Sequence, residues 1–161
     1  MTFDPTDQRV LALLQQDGRI SNAEIARELA MAPSAILERI RKLESRGVIT
    51  GYEARLAPRK VGLGLAAFVF VRAEESDGPS ATGELLAAIP EVQEVHQVAG
   101  EDCYLVKLRA RDTDDLARIL NERLKSIKSV RGTRTTIVLG TLKETTRMPL
   151  AQLAAADESS P

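Results

Sequence analysis

The sequence predicts an α+β chain: an N-terminal helix-turn-helix domain, winged or three-helix, followed by a C-terminal ferredoxin-like βαββαβ domain. Three observations carry this. Apolar residues recur at helical spacing as far as Gly47, and after residue 61 the pattern changes to strand-like apolar runs. Between the two, basic residues are concentrated in a single stretch. The expected division is residues 1–50 for the helical domain, 51–62 for a hinge strand or linker, and 63–150 for the βαββαβ domain. Residues 151–161, small and polar, form a tail expected to fray.

Each element has a local reason. Val10, Leu11, Leu13 and Leu14 define a first helix, with Gly18 placed to end it in a left-handed cap. Ser21-Asn22-Ala23-Glu24 is a capping box that starts a second helix, whose inward side is Ile25, Ala26 and Leu29. After a short turn at Met31-Ala32, Pro33 suits the first position of a third helix, because it has no amide to leave unpaired. Ile36, Ile40 and Leu43 form its inward stripe, and Gly47 closes it. Residues 51–60 alternate and contain Pro58, which predicts an extended hinge, with Tyr52 packing it and Gly62 and Gly64 permitting the bend that follows.

In the second domain, residues 65–71 form a first strand, Asp77-Gly78-Pro79 a turn, and Leu85, Leu86 and Ile89 a short helix ended by Pro90. Residues 92–99 and 104–110 read as a hairpin around Gly100-Glu101-Asp102. A helix follows from Asp112 through Leu116, Ile119, Leu120 and Leu124, and residues 130–139 make a last strand. In the first strand Phe68 and Phe70 point to one side, and Ala67, Val69 and Val71 to the other. Two helices cover only one face of such a sheet, so a homodimer packed sheet to sheet is the expected cover for the second. Burying two Phe rings is worth on the order of 3–6 kcal/mol per chain before ordering costs.

Composition narrows the function. A single Cys forms no internal disulfide, and one Cys with one His builds no Cys/His zinc site, so neither a metal nor another cofactor is expected. With no apolar leader and no apolar run of membrane-spanning length, the chain is expected in the cytoplasm and not in a membrane. The net charge of −1 hides a partition: −2 over residues 1–31, +4 over 32–60 and −3 over the rest. A basic excess confined to one stretch marks a nucleic-acid footprint.

That footprint has a face. Ser34, Glu38, Arg41, Lys42 and Ser45 project away from the apolar stripe of the third helix, with Arg39 at its margin. A tight turn flanked by Ala26 and Ala30 brings the second and third helices close at a steep angle, as a helix-turn-helix requires. A solvent-facing helix of a plain three-helix bundle is the alternative, and DNA is the better reading. Two other classes compete with it. Cys103 and His96 lie across the hairpin and in principle offer a thiol–imidazole pair, but no oxyanion glycines or orienting third group accompany them, so no enzyme is expected. RNA-recognition modules share the βαββαβ topology and carry aromatics on the central strands, a role Phe68, Phe70 and Tyr104 roughly meet. The acidic balance of residues 61–161 and the absence of that module's Gly/aromatic run oppose it.

Three blocks resemble a known family. They are Asp17-Gly18-Arg19-Ile20-Ser21-Asn22-Ala23-Glu24-Ile25-Ala26, then Arg39-Ile40-Arg41-Lys42-Leu43-Glu44-Ser45-Arg46-Gly47-Val48-Ile49 with Gly51-Tyr52-Glu53-Ala54, and Val98-Ala99-Gly100-Glu101-Asp102-Cys103-Tyr104 with residues 133–139. Over about residues 4–150 the chain is similar to the Lrp/AsnC (leucine-responsive, or feast/famine) regulators. The resemblance implies a DNA-binding transcriptional regulator with an amino acid or related small molecule bound between subunits, and a homodimer assembling to an octamer or similar. It also implies a pseudo-palindromic double-stranded DNA site and association with the nucleoid. By motif match, Ser34, Glu38, Arg39, Arg41, Lys42 and Arg46 fall on the DNA-binding side, and Gly100, Glu101, Asp102, Cys103, Tyr104 and Thr135 at the effector site, with Thr133 and Thr136 near it. The chain departs where relatives carry Ser at Ala32, Thr or Ser at Ala35 and Asp at Cys103. Ser34 is then left to cap a later-starting helix, and Glu101 or Asp102 to meet an effector's ammonium group. An architectural DNA-binding protein without an effector is the alternative.

Overall fold

The three N-terminal helices start and stop where local chemistry dictates. A computed structural model describes residues 4–74 and 81–150; the Asp77-Gly78-Pro79 turn and the 151–161 tail lie outside the described residues. Helix α1, Pro5–Gln16, is capped by Asp4, whose carboxylate accepts from the Asp7 amide. It ends on Asp17 in an extended conformation, and Gly18 is not left-handed, contrary to expectation. The Tyr52 ring packs over it at a distance that a Cβ would also accept, 3.8 Å, so nothing in the described residues requires a glycine at this position. Helix α2, Asn22–Glu28, opens with the expected capping box: the Glu24 amide donates to Ser21 Oγ at 3.2 Å and the Ser21 amide to the Glu24 carboxylate at 2.9 Å.

Both α2 and α3, Pro33–Ser45, close by the same device. At the end of α3 the amide of Gly47 donates to Glu44 and that of Val48 to Leu43, with Gly47 left-handed at φ 68°. At the end of α2 the amide of Ala30 donates to Arg27 and that of Met31 to Ala26, but the left-handed residue is Ala30, at φ 52°. A side chain in that conformation carries strain of about 1–2 kcal/mol. Helix α3 begins at Pro33 with Ala32 at its cap and no side-chain cap bond, so Ser34 does not compensate for the missing Ser. Val10, Leu11, Ile25, Ala26, Ile36, Ile40 and Leu43 form one core. Of the two forms the sequence allowed, the described residues show the three-helix one: residues 4–64 contain no strand.

The hinge differs in detail. Residues 51–57 are irregular and pair with no strand, and a 3-10 turn, Pro58–Val61, follows, closed by left-handed Gly62. The chain forms two compact units, one reaching to Arg55 and including the segment from Glu144, the other Leu56–Lys143. Residues 144–150, expected in the second domain, therefore belong with the helices. Gln15 bonds Met148 twice, through Nε2 to its carbonyl at 3.2 Å and through Oε1 from its amide at 2.6 Å. Arg147 donates to the Gln16 carbonyl and Arg55 to the Glu144 carbonyl, while Leu150 packs on the helical core. These partners are backbone carbonyls and amides, which leave no signature in side-chain pattern.

The second unit runs β1 (Leu65–Ala73), α4 (Ala81–Ala87), β2 (Val92–Gln97), β3 (Tyr104–Ala110), α5 (Thr113–Ile119) and β4 (Val130–Ile137). The sheet is antiparallel in the order β2-β3-β1-β4, the ferredoxin-like arrangement expected. A π-helical turn, Leu120–Leu124, continues α5 and brings Leu124 into the core. The covered face holds Ala67, Val69, Val71, Val106, Leu108 and Ala110, all wholly buried. Asp115, also buried, accepts from Arg111 and Arg118, and Arg111 above all holds its carboxyl far below the usual carboxylate range.

Two substitutions test these local rules. Ala30→Gly relieves the left-handed alanine and is expected to stabilise the protein by about 0.5–1 kcal/mol, read as a raised melting temperature. Gly83 permits close approach of the Tyr104 ring, and a Cβ there would stand 2.9 Å from Tyr104 Cε1. Gly83→Ala is expected to lower the melting temperature, because overpacking of about 1–3 kcal/mol outweighs the ~1 kcal/mol that alanine gains in a helix.

Candidate functional site

The outer face of α3 is set by its inner one. With Ile36, Ile40 and Leu43 buried, helical geometry turns Ser34, Glu38, Arg41 and Lys42 to solvent, and all four are exposed, as is Arg46 just past the helix end. Arg41, Lys42 and Arg46 form no ion pair among the described residues, so three cationic heads stand free along one side. Arg39 is placed differently. Its Nη1 lies 2.5 Å from Asp4 Oδ2 and 2.6 Å from Asp7 Oδ1, and both carboxylates belong to the start of α1. The Arg39 guanidinium, and after it the Asp7 amide, hold the Asp4 carboxyl below its ordinary value; the Arg39 pKa rises in return. Asp4 and Asp7 carry no sequence motif of their own, although the acidic excess over residues 1–31 includes them.

The hinge side of this unit is anchored by Tyr52. Its hydroxyl donates to Glu44 Oε1 at 3.1 Å, and its ring lies over Gly18. Burial, then the Glu44 carboxylate, raises the Tyr52 pKa. The packing role expected of Tyr52 is the one it has.

The hairpin residues separate. Gly100 takes φ 143°, and Glu101 is exposed with no bonded partner among the described residues. Asp102 pairs with Arg134 of β4 at 3.0 Å, and the Arg134 guanidinium also lies over the Phe70 ring, 4.0 Å from its centroid. Sequence reasoning misses Arg134; its place beside Phe70 follows from the β1–β4 register. Cys103 Sγ donates to the Ala73 carbonyl at 3.3 Å and accepts from the Ala73 amide at 3.5 Å. Tyr104, expected at an effector site, is 2 % exposed inside the core under α4, so its ring is structural. Thr135 and Thr133 sit opposite Val69 and Val71 on the covered face, whereas Thr136 sits opposite Phe68 on the open one. Thr133 and Thr135 therefore share a face of the sheet that Thr136 does not.

The same register speaks against one alternative, and the partners of His96 and Cys103 against another. Phe70 faces Leu105 and Val71 faces Tyr104, so Tyr104 is on the opposite side of the sheet from Phe68 and Phe70. Those three aromatics make no shared platform for RNA. His96 Nε2 contacts Glu94 at 3.3 Å, while Cys103 is bonded to Ala73, so the two do not form a thiol–imidazole pair. The open face carries Phe68, Phe70 and Leu105, all half-buried, but also Lys107, bonded to Glu94 at 2.9 Å, and Arg109, bonded to Gln93. It is less apolar than the first strand alone suggests.

Comparison with known proteins covers nearly the whole chain. Residues 66–148 match the Lrp/AsnC ligand binding domain, and residues 3–50 match a winged helix-turn-helix DNA-binding domain. The chain is 36% identical to the leucine-responsive regulatory protein of Salmonella typhimurium over 149 residues, 91% of this chain and 90% of the relative. It is 37% identical to the HTH-type transcriptional regulator FL11 of Pyrococcus horikoshii, covering 92% and 97%. Among solved structures, a transcriptional regulator from Neisseria meningitidis in complex with L-methionine superposes with a TM-score of 0.89 at 33% identity, covering 94% of this chain and 99% of that one. A feast or famine regulatory protein from M. tuberculosis complexed with L-methionine gives 0.84 at 35% identity, covering 91% and 99%.

Proposed function

This chain belongs to the Lrp/AsnC family of transcriptional regulators, and from that we propose that it binds double-stranded DNA through the outer face of α3 under the control of an amino acid or a related small molecule. The observation that carries the DNA reading is the free trio Arg41, Lys42 and Arg46 on that face. Such groups neutralise phosphates and release counterions, which makes affinity steeply salt-dependent. Arg41 has the planar fork that matches a guanine edge, worth about 1–3 kcal/mol of discrimination. Ser34 and Glu38, exposed beside it, complete the reading face.

Pairing of two copies through the Phe68–Phe70 face would hold two α3 helices at a set spacing, hence a pseudo-palindromic site, with larger assemblies such as an octamer built from dimers. The L-methionine complexes of two relatives support an amino-acid effector. At the hairpin turn, Glu101 is the carboxylate left to meet an ammonium group, because Asp102 is committed to Arg134. The effector alters DNA binding only by favouring one assembly over another. Catalysis has no support in the bonded states of His96 and Cys103, and we place the protein in the cytoplasm, on the nucleoid, where its DNA is.

On a DNA fragment selected by this protein from a random-sequence library, Arg41→Ala is expected to weaken binding about tenfold and to reduce the salt slope by about 0.9. Unchanged affinity in a gel-shift titration removes α3 from the interface. Calorimetric titration with an amino-acid panel including L-methionine should give saturable heat that Glu101→Gln weakens about tenfold. No heat with any amino acid supports the architectural alternative.

A further inference from the structure

We infer that Arg39 is a positioning residue that sets the recognition helix against α1 through Asp4 and Asp7, and is not itself a DNA ligand. This rests on the reading of α3 as the recognition helix. Arg39 stands three residues after Ile36 and four before Leu43, so its aliphatic stem follows the margin of the buried stripe. The head then reaches the first turn of α1, where one nitrogen, Nη1, bonds both carboxylates at 2.5 and 2.6 Å. Asp4 also caps α1, because its other oxygen, Oδ1, accepts from the Asp7 amide at 2.7 Å. One side chain therefore fixes both the start of α1 and the register of α3 on it.

The charge count points the same way. One guanidinium against two carboxylates leaves a local charge of about −1, which repels a phosphate rather than drawing it in. Charge-assisted bonds are about twice as strong as neutral ones. To reach DNA, Arg39 would have to leave both bonds, while Arg41, Lys42 and Arg46 need leave no ion pair among the described residues. Asp7 has the least exposed side chain of the three partners, at 14% against 31% for Arg39 and 46% for Asp4, so of the two carboxylates it is Asp7 that is set into the fold.

The test uses the full chain and the library-selected DNA fragment, with affinity measured across a salt series and melting temperature recorded for every variant. Arg39→Ala is expected to lower the melting temperature and weaken binding three- to tenfold with the salt slope unchanged, and Arg39→Lys to recover most of both. Asp4→Asn combined with Asp7→Ala keeps a capping side chain at residue 4 but removes both carboxylates. It is expected to weaken binding by a similar factor, although it makes the domain less acidic. A phosphate-binding Arg39 predicts the opposite sign: tighter binding by the aspartate variant, and a slope about 0.9 shallower in Arg39→Ala. Either result overturns the inference, as does an aspartate variant with unchanged affinity and melting temperature. Arg41→Ala, measured alongside, separates this from the underlying reading: if it leaves affinity intact, α3 itself is not the DNA-contacting helix.

Discussion

The closure of α2 at Ala30 governs how the DNA-binding unit presents itself. Two backbone bonds, Ala30 to Arg27 and Met31 to Ala26, reverse the chain within a few residues and aim it into α3. They require a left-handed residue, and an alanine accepts that conformation at a cost in strain. The turn sets the direction of α3, and the buried Ile36, Ile40 and Leu43 set its rotation. Arg39, gripping the first turn of α1, adds a third restraint from the opposite side. A helix held in these three ways presents Arg41 and Lys42 at a fixed angle, which is what reading a groove demands.

In the second unit the equivalent constraint is the alternation of β1, which lies between β3 and β4. Its covered face packs with Leu86, Ile89, Leu116, Ile119 and Leu124 into a buried core. Its open face combines half-buried aromatic rings with salt-bridged cations, a mixed surface unlike the core on the other side. The Arg134–Phe70 stack and the Arg134–Asp102 pair connect that face to the hairpin turn. Assembly and effector binding, as proposed, thus share one arginine.

Much of this was legible in the residues. The capping box at Ser21, Pro33 at the head of α3, Gly47 at its end, the buried stripe and the βαββαβ order all follow from neighbours a few positions apart. The partition of charge likewise located the exposed cations of α3. Other features were not legible. Gly18 looks like a cap and is not left-handed, because which glycine turns left-handed depends on where the next helix must go. Tyr104 lies in a motif that suggests ligand contact, yet the parity of β3 sends it inward against Gly83.

The sequence by itself determined which elements form and in what order, most of the residues that face inward and which stretch carries the basic excess. These depend on capping, periodicity and local charge, all acting over one or two turns. Tertiary structure alone decided which cations are free. Pattern puts Arg39 at the margin of the stripe and Arg41 outside it but names no partner for either; in the fold Arg39 meets Asp4 and Asp7, 35 and 32 residues away, while Arg41 meets no carboxylate among the described residues. It also decided that Met148 returns to Gln15, 133 residues away. Such contacts form between groups that only the folded chain brings within reach, and the cost of closing so long a loop is met by the packing of the whole unit.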